Sequence, residues 1–404
     1  MNAPARPRVL VVQDYFLPGY KGGGSLRSVA NLVERLQDEY RFDVVSRDRD
    51  RGDRGRYPDL RPGWSESRGC RVRYLAPWQI NPWSLRRVLA DRRYDLVYFN
   101  SFFSRLTIWL LVARRFGTLP ACPVVLAPRG ELAGNALRLK RWRKAVYLRV
   151  CRRLGLWRDI TWHVSSASER DEVSRVLGQP SEIALNLPSR PPPRGSLPEL
   201  PEKRSGSARF VFLSRLVPKK NLETAIDLIG RVSGDVVFDV YGTAEDPGYV
   251  AECESRMKRL PPNVRCRYRG PVPHEEVHAT LARYHVFFFP TLSENFGHVV
   301  LEALATGLPV LLSTETYWRD LERKGVGYDV PLTDPSAFVD RLGRFVAMGP
   351  EEFQRASAAA TRLAEAVLSD PRPVEAHRRL FREALTPGHG RSDRVLPSVL
   401  RGHR

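Results

Sequence analysis

Two glutamates, Glu294 and Glu302, stand eight positions apart in the run Ser293-Glu294-Asn295-Phe296-Gly297-His298 and its continuation Leu301-Glu302-Ala303-Leu304-Ala305-Thr306-Gly307-Leu308-Pro309-Val310. A carboxylate accepts two hydrogen bonds at once, which suits the vicinal hydroxyls of a sugar. On a continuous helix the pair would be separated by roughly 12 Å, so one carboxylate reaches a sugar ring and the other a ribose. The amides of Phe296, Gly297 and His298, at a helix start, would aim N–H groups at an anion or a hydroxyl. Gly307 and Pro309 end that helix as a C-terminal glycine and a stop proline do. Surface helices often carry glutamates at this spacing, so the spacing alone leaves the function open.

A second group is cationic. Arg215 follows the strand-like Phe212-Leu213, and Lys219-Lys220-Asn221 comes just after it. In a strand-to-helix loop, Arg215 and Lys220 would face a cleft and neutralise a diphosphate, each contact contributing about 1.5–3 kcal/mol. A diphosphate leaving group gains negative charge as its glycosidic bond breaks, so the same cations would assist departure. A third element, Pro18-Gly19-Tyr20-Lys21-Gly22-Gly23-Gly24, follows the first strand. Its glycines let the backbone approach a ligand closely, although it is neither a Walker A loop nor G-x-G-x-x-G. Ala127-Pro128-Arg129-Gly130-Glu131-Leu132 also follows a strand and belongs at a cleft rim, whereas His163, within a strand, reads as a core histidine.

These loops need a scaffold, and the hydrophobic pattern supplies one. Strand-like runs at 8–16, 42–46, 71–75, 95–100, 123–127, 161–165 and 183–187 alternate with amphipathic helices such as 25–40, where Val29, Leu32, Val33 and Leu36 form one stripe. The pattern stops between Leu187 and Ser207, where Pro188, Pro191, Pro192, Pro193, Pro198 and Pro201 exclude helix and central strand. It restarts with strands at 210–213, 236–241, 264–268, 286–289 and 310–313. The expected architecture is α/β, with two doubly wound Rossmann-like domains and a cleft between the carboxyl ends of their sheets. The expected bounds are 1–187 for an acceptor-side domain, 188–207 for a proline-rich linker and 208–370 for a nucleotide-sugar domain. A C-terminal helix at 371–387 and a flexible tail at 388–404 complete the chain.

With its Phe-Gly and Glu-Ala-Leu context, the glutamate run resembles the E-x7-E signature of retaining, nucleotide-sugar-dependent glycosyltransferases of the two-domain GT-B fold, family 4. The resemblance covers most of the chain and is strongest from Arg209 to Pro331. It implies transfer from a nucleotide diphosphate sugar, a UDP-sugar or GDP-sugar, with retention. Glu294 would act at the sugar with Arg215 and Lys220 on the diphosphate; Glu302, Phe296, Gly297, His298, Gly22 and Gly23 would bind the donor. Arg129, Tyr20 and Lys21 fall on the acceptor side, Arg129 standing where many relatives carry histidine. Same-face attack assisted by the leaving phosphate is what the family implies for retention.

Composition narrows the partners. The chain has 404 residues, 42% hydrophobic and 27% charged, enough for two cores. Residues 1–200 hold 36 Lys and Arg against 19 Asp and Glu, and residues 201–404 hold 29 against 26, so the net charge of +20 sits almost wholly in the first half. Such a half suits an anionic membrane, phosphorylated substrates or nucleic acid. From Leu132 to Arg158 no acidic residue occurs, while Arg138, Lys140, Arg141, Arg143, Lys144, Arg149, Arg152, Arg153 and Arg158 interleave with Trp142, Val146 and Tyr147. That segment favours an anionic membrane face. Nucleic acid is not the expected partner, because no reading module accompanies the charge.

The acceptor expected is a saccharide, lipid-linked or from a bacterial envelope pathway. Five cysteines without C-x-x-C spacing read as reduced thiols. Asp48-Arg49-Asp50 imitates a D-x-D metal motif among arginines that would repel a cation, so no metal is expected. No run approaches the roughly 18 apolar residues of a membrane span, and the N-terminus lacks a signal-peptide core. The expectation is a cytoplasmic enzyme, peripheral at most on the inner face of the membrane. A non-catalytic GT-B partner protein and a basic nucleic-acid-binding protein remain the rivals, and nothing here sets an oligomeric state.

Overall fold

The computed structural model describes residues 6–90, 92–117, 122–138, 141–190 and 197–386. The linker prolines 191–193, Lys140 of the basic segment and the expected tail 388–404 lie outside the described residues. The first half forms an eight-stranded sheet. Its strands are β1 (Arg8–Gln13), β2 (Arg41–Arg47), β3 (Trp64–Ser67), β4 (Cys70–Leu75), β5 (Leu96–Asn100), β6 (Val124–Ala127), β7 (Ile160–Val164) and β8 (Glu182–Ile183), in the order β3-β4-β2-β1-β5-β6-β7-β8. The second half forms a six-stranded sheet from β9 (Ser207–Leu213), β10 (Asp235–Tyr241), β11 (Val264–Tyr268), β12 (Val286–Phe289), β13 (Val310–Ser313) and β14 (Gly327–Val330), in the order β11-β10-β9-β12-β13-β14. These are two parallel-sheet α/β domains with helices on both faces.

The continuous apolar runs explain the topology. Val9, Leu10, Val11 and Val12 are all at most 1% exposed, as a strand covered on both faces requires. β1 pairs in parallel with β2 on one side and β5 on the other, and β9 likewise lies between β10 and β12. Strand order therefore reverses at β1 and at β9. In open α/β sheets the crevice at such a switch point, outside the carboxyl ends of the strands, is where ligands bind.

Two elements escaped the hydrophobic pattern. β3 pairs antiparallel with β4 through a two-residue turn, Arg68-Gly69, in which both residues have positive φ, 41° and 80°. That is the backbone a tight hairpin demands. β14 is a short edge strand opened by Gly327, and nothing in its composition marks it. Conversely, β8 is only two residues long, because the chain beyond it turns away. Leu187 O accepts from Asn31 Nδ2 at 2.8 Å, and Asn186 Oδ1 accepts from Arg129 Nη1 at 2.6 Å.

The described residues end in two helices, Pro350–Ser369 and Arg372–Leu385, parted at Pro371; Pro373 lies in the first turn of the second of these, where its missing N–H is harmless. This last helix returns to the first domain. Phe381, fully buried, packs edge-on against Tyr40 and Tyr98, and Arg378 pairs with Glu39 at 2.7 Å. It thereby joins the core formed by one face of the first sheet and the helix Gly24–Leu36. No helix among the described residues is long and apolar enough to cross a membrane.

Candidate active site

The residues after the switch-point strands meet across the domain boundary. Arg215 follows β9, and its Nη1 donates to both oxygens of Glu245, at 3.1 and 3.3 Å. Glu245 follows β10 and also faces Arg51 of the first domain at 3.5 Å. Lys220, 7% exposed, donates from Nζ to Glu294 Oε2 at 2.5 Å. Burial would push the Glu294 carboxyl up, but the Lys220 charge and hydrogen bond, with the charge of Lys219, bring it below the usual carboxylate range. Lys220 also stands 5.3 Å from the centre of the Phe289 ring. A buried pair of this kind holds both groups ionised and in place.

The glycine-rich loop approaches from the other side. Gly23 has φ of 69°, and a Cβ built there would lie 3.0 Å from Arg215 Nε, so the loop backbone packs directly on the guanidinium. Gly19 has no room for a side chain either, its Cβ position being 2.3 Å from Tyr57 Oη. One step further on, Ser28 Oγ contacts His298 Nε2 at 3.1 Å while donating to Gly24 O at 2.9 Å. Since the hydroxyl proton is used on that carbonyl, His298 donates from Nε2. Burial pushes the His298 ring down to about 4, and it is neutral at pH 7.

The two glutamates do not share a continuous helix, which corrects the expected 12 Å geometry. The helix His298–Ala305 begins only after Gly297, whose φ of 74° turns the chain, and Glu294 lies in the loop before it. That loop is pinned by Glu294 N donating to Glu315 O at 2.8 Å and Trp318 Nε1 donating to Phe296 O at 2.7 Å. The Phe296 ring is buried against His298 and Trp318 and leaves no side chain for a ligand. Glu302 sits on the helix proper, its side chain 14% exposed and 3.7 Å from His274 Nδ1. Burial raises the Glu302 carboxyl to about 7 against the pull of Arg27, and burial with the Arg27 charge drops His274 to about 3. The two are therefore not an ion pair at neutral pH.

Other expected residues are held by partners in their own domain, although the Arg129 charge still reaches His298. Arg129 is spent inside its own domain, donating to Asn100 Oδ1, Asn186 Oδ1 and Tyr98 Oη at 2.6–3.0 Å. Tyr98 Oη in turn contacts His163 Nδ1 at 2.8 Å, and His163 Nε2 meets Ala184 O at 2.8 Å, so this fully buried histidine is a core residue held neutral by burial. Lys21 pairs with Asp53 at 2.6 Å, and Tyr20 is 42% exposed. The carboxylates of the D-x-D imitation are also occupied: Asp50 Oδ2 accepts from the amides of Tyr20 and Lys21 at 2.7 and 2.9 Å, and Asp48 pairs with Arg49 at 2.8 Å. Asp50 thus shapes the glycine loop. Glu245, His274 and Ser28 were not singled out from sequence. The first two follow β10 and β11, and their position after parallel strands was the one available signal.

The arrangement provides two cations, two carboxylates and the backbone of a glycine loop around one interdomain crevice, a set suited to a sugar joined to a diphosphate. Comparison with known proteins places the chain in a family. Residues 197–362 match the family model described as glycosyl transferases group 1, and residues 23–187 match the glycosyl transferase 4-like domain. The D-inositol 3-phosphate glycosyltransferase of Streptomyces griseus is 37% identical over 229 residues, covering 48% of each chain. The phosphatidyl-myo-inositol mannosyltransferase of Mycobacterium leprae is 27% identical over 161 residues, 36% of this chain and 41% of its own. The matches thus span about half or less of the length of these curated relatives. Sucrose-phosphate synthase from Thermosynechococcus elongatus superposes with a TM-score of 0.69 at 18% identity, over 94% of this chain and 99% of its own, a likeness of fold.

Replacing Lys220 tests the pair at the centre of this site. Lys220→Met strands a buried carboxylate, and urea unfolding at pH 7 should show a loss of about 3–5 kcal/mol. In the variant the Glu294 pKa lies above that of the unfolded chain. Lowering the pH protonates the carboxyl, so the deficit against wild type shrinks toward pH 5. A deficit independent of pH would show that the ion pair is not its source.

Proposed function

The chain belongs to the family-4-like glycosyltransferases of the GT-B fold, and on that premise we propose that it moves a sugar from a nucleoside diphosphate sugar, a UDP-sugar or GDP-sugar, to an acceptor with retention of configuration. Glu302 binds the ribose hydroxyls. Arg215 and Lys220 hold the diphosphate, Glu294 and the amides around Gly297 and His298 hold the sugar, and the Gly22-Gly23 backbone closes from the first domain. The observation that carries this reading is the contact of Gly23 with Arg215 beside the Lys220–Glu294 pair. As the C1–O bond to the diphosphate breaks, charge grows on the phosphate oxygens, and preorganised cations stabilise it most at that moment. The acceptor hydroxyl bonds to C1 from the same face and passes its proton to the departing phosphate oxygen. No metal enters this reading, since side chains meet the charge.

The acceptor is a lipid-linked or envelope saccharide presented at a membrane. Supporting this, the helix Arg141–Leu154 leaves Trp142 68%, Val146 51%, Val150 46% and Leu154 38% exposed at four-residue spacing, one stripe among exposed arginines. Trp78, Trp83 and Phe116, on elements that pack on the same face of the sheet, are also exposed. One relative is named for a phosphatidyl-myo-inositol acceptor and another for an inositol phosphate.

Transfer or hydrolysis of labelled sugar from a panel of nucleotide sugars tests the activity. Wild type should turn over at least one donor with retained configuration, and Glu294→Gln should lose about 100-fold or more. Turnover with none of them would favour a non-catalytic partner protein. The Glu302 carboxyl, raised by burial to about 7, accepts from two hydroxyls only when ionised. Donor KM should therefore rise as pH falls below about 7, by up to about tenfold per unit, and Glu302→Gln should flatten the profile; a wild-type KM constant from about pH 6 to 8 excludes Glu302 from the donor site. Sedimentation with anionic phospholipid vesicles should weaken with salt and with Trp142→Ala combined with Arg141→Glu and Arg143→Glu, each basic residue contributing about 1 kcal/mol. Sedimentation indifferent to both would rule out this membrane face.

A further inference from the structure

We infer that a crevice beside Glu302, formed by the first helix, the Arg68-Gly69 hairpin turn and the start of the linker and closed by His274 of the second domain, binds a phosphate-class oxyanion that bridges the two domains. The inference does not depend on the donor reading, since the crevice contains none of Arg215, Lys220 and Glu294.

The cavity has a volume of about 110 Å³, several times the roughly 10–15 Å³ one ordered water requires. Arg27, Arg68 and Arg190 line it, from three separate segments, and Glu34 is the one carboxylate on its wall among the described residues. Glu34 is already paired with Arg190 at 3.2 Å. The side chains of Arg27 and Arg68 have no hydrogen-bond partner and no ion-pair partner within 4 Å among the described residues, and Arg27 feels the charge of Arg68 as well as those of the more distant Glu302 and Glu275. Arg27 is the more buried of the two. Burial pulls its pKa down, and the charges of Glu302 and Glu275 do not offset that cost of desolvation. Two guanidiniums converging on one cavity present planar donor forks, the geometry that matches tetrahedral oxyanions. A neutral His274 adds a hydrogen-bonding ring from the opposite domain. An anion seated there would cancel the repulsion and tie together helix, hairpin, linker and second domain.

The same chemistry has two sources, free inorganic phosphate and the phosphate group of a phosphorylated sugar. Calorimetric titration of the full chain, without nucleotide and at matched ionic strength, separates them. Inorganic phosphate should bind saturably where chloride does not. Arg68→Asn, which suits a positive φ, should weaken binding about tenfold or more. Glu34→Gln should tighten it, a gain that loss of structure does not produce. The binding should persist in a parallel titration with the donor site saturated by nucleoside diphosphate, so failure here is separate from failure of the transferase reading. A sugar phosphomonoester binding at least about tenfold tighter than inorganic phosphate would assign the site to a phosphorylated substrate, and equal affinities would assign it to free phosphate. No saturable binding of either, or binding unaffected by Arg68→Asn and Glu34→Gln, overturns the inference.

Discussion

Two cations beside the domain boundary, the buried Lys220 and the partly exposed Arg215, are each met by a carboxylate, and the layout of the site follows from those two pairings. Lys220 has Glu294 at 2.5 Å, and Arg215 has Glu245 at 3.1 Å. Both acids lie in loops after parallel strands, so the strand order of the second sheet decides which acid meets which base. The pairs hold the cations in place before any substrate arrives. Under the proposed reading, little reorganisation then remains when a diphosphate brings its own charge, the condition under which electrostatic stabilisation is most effective.

The first domain adds backbone rather than side chains at this point. Gly23 touches Arg215, and the Gly24 carbonyl fixes the Ser28 hydroxyl that meets His298. Side chains that carry charge in the glycine loop are tied up locally, Lys21 on Asp53, and Asp50 on the loop amides. Gly19 and Gly22 pack on their own domain, and Gly23 and Gly24 face the second domain at Arg215 and His298. At the other end of the crevice the balance differs: Glu302 keeps a proton near neutral pH because the charge of Arg27 does not offset its burial. One end of the site is built from close ion pairs and the other is sensitive to pH.

Much of this was legible in the sequence where hydrophobic pattern and chain punctuation coincide. The all-apolar strands, the proline interval and the restart after it gave the two sheets, because a parallel strand buried on both faces has no polar positions to disguise it. Edge elements were not legible. β3 carries Ser65, Glu66 and Ser67 and pairs through a turn whose positive φ falls on an arginine, and β14 is four residues long. Within the site, residue types were readable and geometry was not. Gly297 breaks the interval between the glutamates, a single backbone angle no spacing rule reports. Arg129 sits at the right end of a strand, but its guanidinium is drawn inward by Asn100, Asn186 and Tyr98, a choice made by tertiary partners far away in sequence.

Titrating nucleoside diphosphate into wild-type protein and into Arg215→Gln measures the central claim directly. If the guanidinium after β9 grips the diphosphate, removing its charge weakens binding about tenfold or more while the fold is retained. Equal affinity in the two proteins would show that the phosphates bind elsewhere and that the meeting of Gly23 with Arg215 serves only to join the domains.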